Sequence, residues 1–460
     1  MIHSGLDAAR LDADVCIVGS GAAGLTLARE LSGGALRVCV LESGGRRPAV
    51  QPDPHYALRA TELPIASDSR VRALGGTTTA WVGRWKRFDP IDLAARPWVA
   101  GPGWPLPYHE LEPYYRRAAA LVELDERPRP DDAPGFLPAG SVVSTVFRTV
   151  ELARRDFGRV LGGALHAAPN IEIVLDAHAI ALERTGSRVT RVRARTPRGE
   201  LEVIANRVVL AAGGIENARL LLLSELDPHD QVGRCYMDHP KAVIGVVETY
   251  RPLDLSSWRG LSEDAPVYAG YRLADAEQRD RAVLNCYAFL APLFERDLPS
   301  RLVRRVRRPR RARVLVVRNY LEQEPRPDNR VTLDRDHRDP YGQPIASVRW
   351  TISDLERHSL TELHRALARE LQRARIGELH SELLDGRTPP ALGDASHHMG
   401  TTRMGRDPRT SVVDSDGRVH ELDNLFVAGS SVFPTSGYAN PTATIVALAI
   451  RLADHLKEAG

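Results

Sequence analysis

Asp14-Val-Cys-Ile-Val-Gly19-Ser-Gly21-Ala22-Ala23-Gly24, followed by Leu25-Thr-Leu-Ala-Arg-Glu-Leu31, decides the fold of this chain. The apolar run Asp14 to Val18 reads as a short strand, and Leu25 to Leu31 carries apolar residues at helical spacing, so the three glycines form the turn between a strand and a helix. A helix beginning near Ala22 points its free backbone N–H groups and positive dipole end at a pyrophosphate, with Gly19, Gly21 and Gly24 as contact points and Ala22 and Ala23 in its first turn. The next apolar run, Leu36 to Leu41, ends in Glu42, 18 positions after Gly24, followed by Ser43. That spacing closes a βαβ unit of roughly 30 residues, as dinucleotide binding requires. Glu42 is expected to accept hydrogen bonds from the adenosine ribose, where its charge repels a 2′-phosphate. NADP is thereby disfavoured, while FAD and NAD both remain.

The chain has 460 residues, 43% of them hydrophobic, enough for two interlocked domains. Its 62 basic and 59 acidic residues leave a net charge of +3, which calls for neither nucleic acid nor an anionic membrane as partner. Cys16, Cys39, Cys235 and Cys286 show no metal-binding or disulfide spacing, so no metal site is expected. Met1 to Asp14 lacks a cationic start with an apolar stretch, and no run reaches the ~18 apolar residues of a membrane span, so a cytoplasmic location is expected.

Prolines at 97, 102, 105, 107 and 113 argue against a long helix before about Leu111, and a loop or lid is expected there. Short alternating segments at 171–175, 189–194, 201–204 and 208–212 read as a sheet returning to the nucleotide domain. From 236 to 350 the character changes: 242–249, 282–290 and 314–320 are β-prone and separated by proline-rich and acidic loops. Helical spacing resumes at 354–374, and a closing helix is expected from Thr442 to Leu456. The run Arg304 to Arg313, seven arginines in ten residues, offers a local surface for an acidic partner, an anionic substrate or a membrane, but reads first as a solvated loop because Pro309 interrupts any amphipathic helix.

Three further segments carry a resemblance. Arg72 to Trp81 (R-A-L-G-G-T-T-T-A-W) contains a second glycine turn. Asn206 to Leu223 forms another strand, turn and helix. His397-His-Met-Gly-Thr401, Asn424 to Phe433 and Asn440-Pro-Thr-Ala-Thr444 follow near the end. Together with the first glycine turn these resemble the glucose-methanol-choline (GMC) oxidoreductases, over about half the chain. Gly233 to Pro240 and Asp328 to Leu333 resemble the bacterial sugar- and polyol-oxidising members. The resemblance implies FAD rather than NAD. It extends the expected cofactor contacts to Arg72, Gly75, Gly76, Thr77, Trp81, Ala179, Ala212, Gly213, Asn217, Gly429, Ser430, Pro441 and Thr442. Some sugar-oxidising relatives attach FAD through a histidine just before that tryptophan; here Ala80 stands in its place, so the FAD is expected to be non-covalent.

The fold implied is an α/β FAD-binding Rossmann-like domain with an interlocked α+β substrate domain built on an antiparallel sheet. Residues 1–45, 66–90, 165–235 and 390–460 are assigned to the first, and 46–65, 91–164 and 236–389 to the second and its lid. The same resemblance places the catalytic histidine at His397 rather than His398, and its active-site partner at Asn440. Removal of a hydride from an alcohol to flavin N5 requires uptake of the hydroxyl proton, which a neutral imidazole can perform. Asn440 can hold the substrate oxygen without titrating, and it also fits an ordinary cap before Pro441. His239 is read either as lining the substrate pocket or as a helix-end or hinge residue. The expected activity is oxidation of a primary or secondary alcohol on a sugar, glycoside, cyclitol or polyol, with oxygen or another electron acceptor as second substrate. A flavin-bound lyase of the same fold is the alternative, and a non-catalytic interaction module a third reading. The sequence is silent on the exact substrate and on the oligomeric state.

Overall fold

The computed structural model describes residues 1–4, 9–127, 137–254, 267–292, 311–388 and 391–458. Arg10–Val18 is a strand, Ala22–Leu31 a helix and Val38–Leu41 the next strand, as the opening motif requires. These strands pair in parallel, with Val15 opposite Val38 and Val18 opposite Leu41. They belong to an eight-stranded mixed sheet that also contains Ile2–Ser4, Ile171–Leu175, His178–Thr185, Arg188–Thr196, Gly199–Leu210 and Leu425–Val427. Both faces are covered, and the parallel strands accordingly read as continuous apolar runs: Val15, Cys16 and Ile17 are fully buried. Leu425–Val427 pairs in parallel with Val208 to Leu210, so a strand from near the end of the sequence completes a sheet begun at its start.

A second, antiparallel sheet of seven strands is built largely from Val142–Thr149, Lys241–Asp254, Val267–Leu273, Cys286–Pro292, Arg311–Leu321 and Gly377–His380, with Arg84–Trp85 at its edge. The amphipathic helix Asp354–Arg373 packs on it through Leu360, Leu363, Leu367 and Leu371. Its start is a capping box: the Ser353 hydroxyl accepts from the Glu356 N–H while the Glu356 carboxylate accepts from the Ser353 N–H. Leu58–Glu62, Arg330–Arg338 and Pro344–Trp350 form a small third sheet.

Three local expectations need correction and a fourth is narrowed. The β-prone stretch at 282–290 begins pairing only at Cys286. Asp275–Arg281 is a helix ending at Ala282, whose φ of 53° reverses the chain. The arginine run was read as a loop throughout; 304–310 lie outside the described residues, whereas Arg311 to Arg313 already belong to the strand Arg311–Leu321. Tyr108–Leu121 is helical from just after Pro107, with Pro113 accommodated inside. Finally, the proline-rich segment read as a loop or lid is, at 94–107, an irregular loop packed onto the rest of the chain. Arg96 forms a buried bidentate ion pair with Glu322, Trp98 Nε1 donates to the Val283 carbonyl at 3.0 Å, and Trp104 Nε1 donates to Thr435 Oγ1 at 2.7 Å.

Candidate active site

The two ends of the sequence and the antiparallel sheet meet around one cavity of ≈ 590 Å³. At one end stands the glycine turn. Gly19 has φ 105°, and a Cβ there would lie 2.6 Å from the Ala211 carbonyl oxygen, so only glycine lets the turn approach the neighbouring strand. Around Gly21, by contrast, there is open space, as there is around Gly213 and Gly429. All three glycines line the cavity, forming a floor of bare backbone beneath which Ala22–Leu31 begins. Glu42 is buried; its carboxylate accepts from Ser20 N–H at 3.0 Å, Ser20 Oγ at 2.6 Å and Gly44 N–H at 2.7 Å. Burial pushes its pKa up, against the lowering effect of these bonds. The buried His178 Nδ1 and Ser69 Oγ, both on cavity-lining residues, have no hydrogen-bond partner among the described residues. Open glycine backbone at a helix start, a buried ribose-type carboxylate and unsatisfied polar atoms fit an adenine dinucleotide.

Most expected cofactor residues line this cavity: Gly19, Gly21, Ala22, Ala23, Glu42, Ser43, Gly76, Thr77, Trp81, Ala179, Ala212, Gly213, Gly429, Ser430, Pro441 and Thr442, together with Ala80. Four stand behind it instead. Gly24 was expected to touch phosphate, but a Cβ there would sit 1.9 Å from the Gly19 carbonyl oxygen, so it lets the helix pack on its own turn. Arg72 turns away to bind Asp53 at 2.8 Å and the Ser43 carbonyl. Gly75, with φ 99°, backs onto Gly158 of the Phe157–Ala167 helix. Asn217 Oδ1 accepts from Ala212 N–H at 2.8 Å, while its Nδ2 donates to the Ala428 carbonyl and Ser431 Oγ; it fastens two lining loops to each other.

At the other end of the cavity His397 and Asn440 meet, with Asn440 Nδ2 3.3 Å from His397 Nε2. Asn440 immediately precedes Pro441 and the closing helix Thr442–Glu458. His397 is held by paired backbone segments: Met237 and Met399 exchange N–H···O bonds of 3.0 and 2.9 Å, and Lys241 and Gly393 exchange two of 2.9 Å. Between these bridges the Asp238 carboxylate accepts the N–H groups of His239 (2.6 Å), Ala395 (3.1 Å) and His397 (3.2 Å). Burial and the nearby Asp394 raise the Asp238 pKa to about 7. This arrangement puts His239 Nδ1 2.9 Å from His397 Nδ1, the rings crossing edge to face at 81°. Burial first, then the neighbouring His239, Lys241 and His398, hold the His397 pKa well below its usual value, which favours the neutral imidazole. His398 also borders the cavity, but its ring packs 5.9 Å from that of Tyr236, and its carbonyl accepts from Ser430 Oγ.

Sequence reasoning assigned 236–389 to the substrate domain and named only His239 there as a pocket-lining candidate; His239 is not among the residues that line the cavity, and others of the region are. The structure supplies Lys241, Tyr287, Phe289 and Tyr320 from the antiparallel sheet, joined by Arg84. Tyr287 and Tyr320 stack with centroids 4.9 Å apart and planes 6° from parallel. The strands were legible; which of their faces turns inward depends on register across the sheet.

Comparisons with known proteins agree with this geometry. A family model described as GMC oxidoreductase matches residues 325–449, and one described as pyridine nucleotide-disulphide oxidoreductase matches 13–241. Fructose dehydrogenase large subunit from Gluconobacter japonicus is 26% identical, with 96% of this chain and 97% of that one covered. 2-Methyl-1,2-propanediol dehydrogenase from Mycolicibacterium austroafricanum is 27% identical over 96% and 95%. C-glycoside 3-oxidase from Arthrobacter globiformis is 31% identical, over 56% of this chain and 47% of its own. Among solved structures, pyridoxine 4-oxidase from Mesorbium loti superposes with a TM-score of 0.64 at 19% identity, covering 97% and 99% of the two chains, which shows a shared fold. With its glycine turn, its C-terminal histidine and asparagine and its matched family models, the chain carries a GMC oxidoreductase domain over residues 325–449 and is an FAD enzyme.

Proposed function

We propose that this protein oxidises a primary or secondary alcohol of a sugar, glycoside, cyclitol or polyol to the aldehyde or ketone, with His397 as base. The observation that carries the reading is the meeting of His397 Nε2 and Asn440 Nδ2 at 3.3 Å in the same cavity as the glycine turn, where burial holds the imidazole pKa low. Bound FAD supplies the hydride acceptor for such a reaction. His397 takes the hydroxyl proton at Nε2, and Asn440 donates an amide N–H to the substrate oxygen as negative charge develops there. Tyr287, Phe289 and Tyr320 offer aromatic faces to a ring or chain of C–H groups, while Arg84 and Lys241 donate hydrogen bonds to its hydroxyls. Relatives named for fructose, a diol and C-glycosides support this substrate class.

The FAD is held without a covalent link, since Ala80 offers no nucleophile beside Trp81. A cytoplasmic location belongs to the same proposal and is supported by four free, buried cysteines; cell fractionation tests it. The decisive experiment is acid precipitation followed by anaerobic titration with sugars, glycosides, cyclitols and simple alcohols. Release of FAD into the supernatant and bleaching of the native flavin by one substrate class support the proposal. Turnover without bleaching would favour a lyase, and oxygen uptake during turnover distinguishes an oxidase from a dehydrogenase using another acceptor.

A further inference from the structure

His239 is buried, lies 158 positions from His397 in sequence, and has both ring nitrogens engaged. Its Nε2 is 3.1 Å from the Ser436 carbonyl oxygen, and its Nδ1 is 2.9 Å from His397 Nδ1. A carbonyl oxygen can only accept, so the proton of a neutral His239 resides on Nε2 and its Nδ1 is bare. The His397 Nδ1 facing that bare nitrogen must then carry the proton of its own ring. His397 Nε2 is left as a lone pair, directed towards Asn440, whose amide N–H it accepts. A single fixed acceptor, the Ser436 carbonyl, therefore sets the protonation pattern of two rings in series.

We propose that His239 is a positioning residue that holds His397 in the Nδ1-protonated tautomer, so that the unprotonated Nε2 faces the substrate. The inference rests on the reading of His397 as the base. Burial lowers the His239 pKa to about 4, so the ring stays neutral while the reaction runs. The charged and titratable groups bearing on the pair are Asp238 beneath the connecting backbone, Lys241 and His398 beside His397, and Glu322 towards His239. None of them offers an alternative acceptor to His397 Nδ1. When His397 gains the substrate proton at Nε2, its Nδ1–H remains bonded to His239, so the cation forms with its donor already satisfied.

Two substitutions separate tautomer control from packing. His239→Asn places an amide oxygen where Nδ1 was and can still accept from His397 Nδ1, whereas His239→Leu fills the space without an acceptor. Nitrogen-15 spectra of histidine-labelled, flavin-loaded wild-type protein should show His397 protonated at Nδ1 only and His239 at Nε2 only. In His239→Leu the His397 signal should move towards the other tautomer. Its rate of anaerobic flavin reduction should fall about 10- to 100-fold with KM little changed, and His239→Asn should recover most of that loss. The proposal is overturned if the leucine variant reduces its flavin as fast as the asparagine variant, or if wild-type His397 carries its proton on Nε2. The wild-type spectrum decides the matter even if a variant fails to fold. Unimpaired flavin reduction in His397→Ala would instead overturn the base assignment itself.

Discussion

At the scale of single residues, the proposed chemistry depends on an imidazole that stays neutral. A histidine whose pKa is lowered by burial loses its proton at a lower pH than a free one, so it can serve as base in mildly acidic solution. The sign follows: activity is lost as pH falls through the lowered value and is restored as pH rises above it. A profile of kcat/KM against pH should therefore show its acidic limb below the ordinary histidine value of about 6.5. A limb centred above 7 would contradict the environment described for His397. Replacing His397 by alanine should slow substrate reduction of the flavin by about 10²- to 10⁴-fold while leaving the bound flavin spectrum in place. His397 and Asn440 were legible because their local motif is distinctive. His239 was not, since its role depends on a contact across 158 positions and on the direction of a carbonyl at Ser436.

At the scale of elements, the strand, glycine turn and helix at the start of the chain could be read because every determinant lies within 30 or so neighbouring residues. Sequence alone did not separate two kinds of glycine within that turn. Gly24 meets its own backbone, whereas Gly21 faces the cavity. Gly24→Ala should destabilise the fold by about 1–3 kcal/mol, read as a lower melting temperature of the flavin-free protein. Gly21→Ala should leave that temperature nearly unchanged and weaken FAD binding, measured by flavin fluorescence on titration. The reverse pattern would contradict the packing described. The second glycine segment was read less well. Arg72 was expected at the cofactor because it opens the segment that carries the resemblance, yet Asp53, 19 residues upstream, claims its guanidinium. The proline-rich segment at 95–106 could be read only as far as loop or lid for a related reason: prolines report the absence of regular hydrogen bonding, which a firmly packed loop shares with a mobile one.

At the scale of the molecule, segments far apart in sequence are tied together by contacts that none contributes alone. Arg96 and Glu322 are almost wholly shielded from water, and the Glu322 carboxylate also accepts the Asn285 N–H at 2.8 Å. Arg96→Met should cost about 3–5 kcal/mol, because it leaves a buried carboxylate without its counter-charge. Urea titration would measure this, and a loss below about 1 kcal/mol would show that water reaches Glu322. The closing helix ties in another distant segment: Tyr115 Oη meets Thr444 Oγ1 at 2.9 Å, and Arg117 binds both Glu30 of the first helix and Asp454 of the last. Leu425–Val427, inserted beside Val208 to Leu210, completes the sheet only after almost the whole chain is available. On the ribosome, the amino-terminal glycine turn emerges long before Gly429, His397 and Asn440 can close the cavity around a ligand. Vectorial synthesis thus delays the complete flavin site until the carboxyl-terminal segment has left the exit tunnel, and a nascent chain stalled before Leu425 presents half a nucleotide cradle with no wall opposite.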